Sequence, residues 1–411
     1  MDILEKGKLR LEWAREHMDA MKSVRKELKE SGVLEGVKIS MALHVEAKTG
    51  ILALTLQEAG AKVRLASCNP LSTDDSVAIA LREEYGLETY ARKGESNEEY
   101  YRNLNTVLDL EPQIVIDDGA DLIFLLHTSR KELSSGIWGA NEETTTGVVR
   151  LRALERSGEL LFPVIDVNDA HMKHLFDNRY GTGQSTFDGI FTSTNLLIAG
   201  KTFVVAGYGW CGRGIAMRAK GLGADVIVTE VDPIKAIEAR MDGFRVMPMM
   251  DAVKEADFIV SATGVKDIVR KEHFEVMKNG CVMANSGHFD NEISKKDLEE
   301  MSESVRRVRD FVDEYRLKDG RKLYLLGEGR LINLAAGQGH PIEIMDMSFS
   351  IQALSAAYIA ENHEKMEKKV YQVPYEIDEK VAKIKLKSMG IEIDRLTDEQ
   401  IRYINDWKEG T

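Results

Sequence analysis

Along the chain, short apolar runs rich in β-branched residues alternate with longer stretches whose apolar positions recur every three or four residues. The runs VKISMAL (37–43), AKVRLAS (61–67), QIVIDD (113–118), FPVIDV (162–167), KTFVVAG (201–207), DVIVTE (225–230), DFIVSAT (257–263) and CVMANS (281–286) predict strands. Helical periodicity fills most of the intervals. This alternation predicts an α/β fold built from doubly wound, Rossmann-like parallel sheets. Two breaks divide it, one at FDNRYGTGQSTFDGIFTSTNLLIAGK near 180–200 and one at NLAAGQGHP near 335–340. Past the second break a long helical run, IEIMDMSFSIQALSAAYIAENHEKM, begins. The stretch between the breaks reads as a complete unit inserted into another. The outer unit is then discontinuous, residues 1–180 and 340–385 around an inserted 181–339. Residues 386–411 are polar, helical in period and suited to packing on a partner subunit.

Composition narrows the function classes. A chain of 411 residues, 43% apolar and 30% charged, is long enough to bury more than one core. The net charge of −13, from 55 basic and 68 acidic residues, argues against a nucleic-acid partner, because phosphate-backbone binding needs clustered Lys and Arg. The start, MDILEKGKLRLEWAREHM, is charged and has no apolar core of a signal peptide. No apolar stretch is long enough to span a bilayer. Cys68, Cys211 and Cys281 lie too far apart for a metal spacing or a disulfide framework. These features predict a cytoplasmic protein without a membrane segment or a metal.

Residues 203–230, FVVAGYGWCGRGIAMRAKGLGADVIVTE, hold the most specific local pattern. Gly207, Gly209 and Gly212 form G-x-G-x-x-G directly after a strand; a helix, a second strand and a terminal Glu230 follow. The first glycine permits the tight turn, the second lets a pyrophosphate approach the backbone, and the third lets the helix pack on the strand. The helix N-terminus offers free N–H groups and partial positive charge to the phosphates. Glu230 stands where an acid binds an adenosine ribose and repels a 2′-phosphate, which selects NAD over NADP.

Polar clusters at other strand ends supply candidate chemistry. LHVEAKT (43–49) puts His44, Glu46 and Lys48 at alternate positions, which in extended chain share one face. DDGAD gives Asp117, Asp118 and Asp121; NEETTTG gives Glu142, Glu143, Thr144, Thr145 and Thr146; HMKHLFDN gives Lys173, Asp177 and Asn178. NSGHFD gives His288, and LINLAAGQGHP gives Asn333 and His340. Singly these are helix caps, turns or an i,i+4 ion pair. Lys173 and Asn178 lie close to the first break, where ligand clefts form.

Together these words resemble the S-adenosyl-L-homocysteine hydrolase family. The matching stretches are DDGADL, EETTTG, FDNRYGTGQS, VVAGYGWCGRGIA, VTEVDP, GHFDNEI, EGRLINL and GHP, in this order, over nearly the whole chain. The resemblance implies a tightly held NAD that oxidises the ribose 3′-hydroxyl, loss of the acidified C4′ proton, departure of homocysteine thiolate from C5′, addition of water, and return of the hydride. It makes the outer unit a substrate-binding domain and the inserted unit an NAD-binding domain. It implies that Lys173 and Asp177 hold the 2′- and 3′-hydroxyls, with Lys173 easing proton loss at O3′, a task best served by a lowered pKa. Glu143 anchors the ribose. His44, Asp118 and His288 activate water and protonate the thiolate near C5′. Thr144, Thr145, Thr146, Asn178 and Asn333 touch the nicotinamide half of NAD, and His340 sits near the base and the hinge. The family's homotetramer is also implied. Longer members end in a Lys- and Tyr-bearing tail that reaches a neighbour's cofactor; this sequence ends DWKEGT without it. NAD use carries over, but that tail's contribution to NAD affinity and exchange does not.

The stretch HVEAKT departs from the family's common form, in which a threonine and a glutamate or similar acceptor read the adenine edge. Here Glu46 puts an acceptor where the donor was, and Lys48 puts a strict donor where the acceptor was. Hypoxanthine has the inverted edge, with N1–H donating and O6 accepting. Glu46 and Lys48, with Thr49 beside them, therefore predict S-inosyl-L-homocysteine as substrate. The alternative is that Glu46 and Lys48 pair with each other and leave adenine to backbone groups. A plain NAD-dependent dehydrogenase and a non-catalytic NAD sensor are the rival classes; the sensor is disfavoured by the retained Lys173, Asp177, Asn178 and His288.

Overall fold

The structure, a computed structural model, describes residues 1–408, so positions 409–411 of the 386–411 tail lie outside the described residues. Each of the eight apolar runs forms a strand. The first sheet holds β1 (Lys38–Ala42), β2 (Lys62–Ala66), β3 (Glu88–Tyr90), β4 (Ile114–Asp117), β5 (Gly139–Glu142), β6 (Val164–Asp166) and β15 (Val370–Gln372), in the order β15-β6-β5-β4-β1-β2-β3. Every pairing in it is parallel. The second holds β7 (Thr202–Ala206), β8 (Asp225–Thr229), β9 (Arg245–Val246), β10 (Phe258–Ser261), β11 (Val282–Asn285), β12 (Ser302–Arg309), β13 (Val312–Leu317) and β14 (Lys322–Leu326), in the order β12-β13-β14-β11-β10-β7-β8-β9.

The second sheet departs from an all-parallel reading. β14 pairs β11 in parallel, but β13 and β12 are added by antiparallel hairpins. The sequence hides them: β12 is arginine-rich and exposed along nearly its whole length, so it carries no apolar run. The short strands β5 (GANE), β9 and β15 are equally silent, being polar or only two or three residues long.

Both sheets reverse direction once. The chain winds from β1 toward β3 on one side and from β4 toward β15 on the other, so β1 and β4 flank a switch point; β7 and β10 flank its counterpart. Crevices open beyond the carboxyl ends of such strand pairs. The helix Ile342–Asn362 returns the chain to the first sheet. Almost all of its middle is buried, Met345 through Ile359 with few interruptions, against β4, β5 and the helices Asp19–Ser31, Ala47–Glu58 and Tyr375–Ser388. Such a helix has no solvent face, so its polar residues Asp346, Ser348 and Gln352 are buried too and must find partners inside the protein. Among the described residues no helix is long and apolar enough to cross a membrane.

Candidate active site

One cavity of ≈ 1170 Å³ joins the two crevices. Every residue given a role from the sequence lines it except Gly212.

The dinucleotide end is built by backbone. Gly207 follows β7 at φ 95°, a conformation costly for any side chain, and an added Cβ would press on the Ala262 carbonyl beyond β10. Gly209 faces open space. Gly212 lies under the turn, where a Cβ would collide with the Gly207 carbonyl oxygen; its task is helix–strand packing, which is why it does not reach the cavity. The helix Trp210–Gly221 has no side-chain cap, so its first N–H groups stay free toward the cavity. Glu230 directly follows β8 and accepts hydrogen bonds from the N–H groups of Tyr208 (2.7 Å), Val231 (2.7 Å) and Asp232 (3.1 Å). Asn333 donates to Ser185 Oγ at 3.1 Å and leaves its buried Oδ1 without a partner, as an amide-bearing ligand requires. An uncapped helix start, glycines at the approach and a strand-end acid fit NAD. Sequence reasoning passed over Glu292, fully buried, which accepts from Thr263 N (3.0 Å), Thr263 Oγ1 (2.7 Å) and Gly264 N (2.9 Å) and pins the SATG loop.

The other end is built by buried charge. Lys173 projects from the short helix His171–His174 that follows β6. Its ammonium donates to Asn178 Oδ1 (2.8 Å) and Asn168 Oδ1 (3.3 Å) and lies 3.4 Å from Glu143 and 3.8 Å from Asp177. Its pKa is not lowered, contrary to the expectation from the resemblance. Burial acts in that direction, but Asp177, Glu143 and Asp118 outweigh it and hold Lys173 above the ordinary lysine range. Asp177 is held well below the carboxylate range: burial opposes this, and Lys173 and His340 overcome it. Glu143 is pushed up to about 7, by burial first and against the pull of Lys173. One ammonium is thus shared among carboxylates, and Glu143 is the one left near neutrality.

His340 Nδ1 lies 2.7 Å from Asp177 Oδ1, and Ser348 Oγ donates to Asp177 Oδ2 at 2.8 Å. Gln352 Nε2 donates to Glu143 Oε2 at 2.6 Å. Asn168, Ser348 and Gln352 were missed from the sequence. Asn168 carries a findable signal, a polar residue just past a strand end. Ser348 and Gln352 sit one helical turn apart on a core helix and carry none.

His44, Asp118 and His288 come together from the ends of β1, β4 and β11, with donor atoms all within 4.8 Å of one another. Asp118 lies 3.4 Å from His44 Nε2 and 3.6 Å from His288 Nδ1. His44 Nδ1 contacts Ser72 Oγ (2.7 Å) and Cys68 Sγ (3.2 Å), two further residues the sequence reading missed. Burial lowers the His44 pKa to about 4 although Asp118 opposes it, so the ring is neutral and can accept a proton.

The extended reading of LHVEAKT is also corrected. β1 ends at Ala42 and a helix begins at Ala47, with Glu46 as its N-cap accepting from Lys48 N (3.0 Å) and Thr49 N (3.3 Å). A carboxylate at this position stabilises a helix start by about 1 kcal/mol, and a doubly wound sheet needs a helix there. Lys48 is 5% exposed; its ammonium lies 2.7 Å from Glu46 and donates to Gln338 O at 2.7 Å. Thr144, Thr145 and Thr146 line the cavity between the two ends.

Comparison with known proteins agrees with this geometry. The sequence model "S-adenosyl-L-homocysteine hydrolase" matches residues 1–137, and "S-adenosyl-L-homocysteine hydrolase, NAD binding domain" matches residues 178–339. An adenosylhomocysteinase of Thermoplasma volcanium is 61% identical over 99% of each chain. An S-inosyl-L-homocysteine hydrolase of Methanocaldococcus jannaschii is 60% identical over 100% of this chain and 99% of its own. Among solved structures, a dipicolinate synthase chain of Bacillus halodurans superposes with a TM-score of 0.50 at 12% identity, over 80% of this chain and 99% of that one, a likeness of fold. With the glycine turn and its terminal acid at one end of the cavity and the buried lysine cluster at the other, the chain belongs to the S-adenosyl-L-homocysteine hydrolase family and is an NAD-dependent hydrolase.

Proposed function

We propose that the chain reversibly hydrolyses an S-nucleosyl-L-homocysteine to nucleoside and L-homocysteine through a 3′-keto intermediate, with S-inosyl-L-homocysteine as the favoured substrate. Residues 1–180 and 340–385 form the substrate domain, residues 181–339 the NAD domain and residues 386–411 a tail. The tail's exposed Ile401, Tyr403, Ile404 and Trp407 support its packing on a partner subunit in a cytoplasmic homotetramer.

When bound, NAD supplies hydride acceptance from ribose C3′ and its return at the end of the cycle. The chain's residues handle everything else. Asp177 holds the hydroxyls; Lys173, held protonated, eases loss of the O3′ proton by stabilising the negative charge that develops on the oxygen, and Glu143, 3.4 Å from the ammonium with Oε1 unpartnered, is the carboxyl that can take that proton. Glu143 also anchors the ribose. Neutral His44, with Asp118 and His288, activates water at C5′ and returns a proton to the thiolate. Glu230 and the Gly207–Gly209 turn hold the adenosine half of the cofactor. Thr144, Thr145, Thr146, Asn178 and Asn333 hold the nicotinamide half.

The observation that carries the choice of base is the buried ammonium of Lys48 on the cavity wall. It has three N–H donors and two partners, Glu46 and Gln338 O, so one donor remains for O6 of hypoxanthine. Against adenine it faces an amino group, two donors together, a mispairing worth about 1–3 kcal/mol. Glu46 accepts N1–H by sharing an oxygen now held by Thr49 or Lys48. The second reading, S-adenosyl-L-homocysteine, draws on the same ion pair: Glu46 and Lys48 satisfy each other at 2.7 Å and need no base. Relatives named for either substrate are equally similar, at 61% and 60% identity. Purified protein with NAD is given each substrate, and free homocysteine is followed. A clear advantage in kcat/KM for the inosyl substrate is expected; an equal or better adenosyl substrate rejects the base reading.

A further inference from the structure

The short helix that carries Lys173 does not cap itself. Its N-cap is Ala170, which has no hydrogen-bonding side chain. The N–H groups of His171 and Met172 point instead at Asp378, on the helix Tyr375–Ser388 more than two hundred residues away in sequence. Asp378 Oδ2 accepts from His171 N at 2.6 Å and Oδ1 accepts from Met172 N at 2.7 Å. The carboxylate is 5% exposed, and both its oxygens are spent on this one helix end. Charge-assisted bonds of this length are about twice as strong as neutral ones. At its other end the same helix is tied down separately. Lys385 donates to Asp346 Oδ2 at 2.8 Å, and fully buried Asp346 also accepts from the N–H groups of Ala20 and Met21.

We propose that Asp378 is a positioning residue for Lys173, fixing the start of the lysine's helix so that the ammonium falls among Asn178, Asn168, Glu143 and Asp177. This rests on the reading of Lys173 as the group that handles the O3′ proton. Lys173 is the residue next to the Met172 N–H that Asp378 holds, and its ammonium sits within 2.8–3.8 Å of four groups at once. A helix end released by about 1 Å misplaces that ammonium, a displacement that costs about a hundredfold in rate.

The test uses the full-length, NAD-loaded protein. Asp378→Asn keeps the shape but turns one acceptor into a donor facing a backbone N–H. Homocysteine release is expected to fall about ten- to a hundredfold in kcat with KM changed by less than about twofold. The acid limb of the kcat–pH profile also moves, because the lysine–carboxylate spacing changes. Asp378→Glu keeps the charge and recovers part of the rate; it is the working variant if the asparagine form does not fold. Lys385→Met lowers the thermal midpoint but leaves kcat and the pH profile unchanged. The proposal is overturned if Asp378→Asn (or Asp378→Glu, if only that form folds) loses thermal stability alone, or if Lys385→Met lowers kcat as much as the Asp378 variant does. Lys173→Met separates the two levels. If its turnover stays like wild type, the reading of Lys173 fails; if its kcat collapses while the Asp378 variants run normally, only the positioning role fails.

Discussion

The crevice beyond β7 and β10 and the crevice beyond β1 and β4 occupy equivalent places in their sheets, yet they are built from different material. The first uses main chain: a glycine turn, an uncapped helix start, and a strand-end acid that itself grips three backbone N–H groups. The second uses buried side chains, Lys173, Asp177, Glu143, His44, Asp118 and His288, whose charges set one another's protonation. In the proposed mechanism, a cofactor that ends each cycle as it began needs shape and a dipole. A substrate that must lose and regain protons needs titratable groups held apart from water. The helix end that serves each crevice shows the same contrast: uncapped where a ligand meets it, capped by Asp378 where a lysine must be aimed.

The comparison can be broken at either end, and the largest expected effect lies in the charged crevice. Lys173→Met removes the ammonium that Asp177, Glu143 and Asp118 share and should lower kcat by about 10²–10⁴, as measured by homocysteine release. Wild-type-like turnover would detach that cluster from the chemistry.

The next effect is on stability. The His44 pKa is lowered from 6.5 to about 4 in the folded protein. Between those values the unfolded chain binds a proton that the folded chain does not. Stability is therefore full above about pH 6.5 and is lost as pH falls toward about 4, by about 3 kcal/mol in total. Denaturant unfolding of wild type and His44→Gln across this range should show the wild type losing that much more. Parallel curves would mean that His44 is not buried as a neutral ring.

A smaller effect is expected at the main-chain crevice. Gly212→Ala drives a methyl into the Gly207 carbonyl, and overpacking of that kind costs about 1–3 kcal/mol. The loss should appear as weaker NAD retention, read by cofactor content after gel filtration, before it appears in kcat of the NAD-saturated enzyme. The smallest concerns the base. Glu46→Thr with Lys48→Glu should swing the kcat/KM ratio toward the adenosyl substrate by about ten- to a hundredfold. An unchanged ratio would leave the pair as a helix cap and an ion pair.

Much of this architecture was legible in order along the chain. Eight apolar runs mark the strands that flank both switch points, and the glycine spacing with Glu230 marks the dinucleotide turn, because turn, strand and helix start are set by residues within about thirty positions of one another. Polar or very short strands were not legible: GANE in β5 and the arginine-rich β12 have no apolar alternation and exist through their neighbours. Nor was the exit from β1. Local alternation in HVEAKT suggests extended chain, and the helix won because Glu46 can cap it.

The candidate site residues were legible in the sequence itself, in words such as EETTTG and FDNRYGTGQS. Their states were not. That Lys173 stays protonated, that Glu143 is the carboxyl near neutrality, that His340 leans on Asp177 and that Asp378 holds the lysine's helix all follow from contacts between segments as much as 207 residues apart. Local sequence chooses backbone conformation because its interactions are short-ranged. Burial and charge pairing depend on which segments the folded chain brings together, and only the tertiary structure decides that.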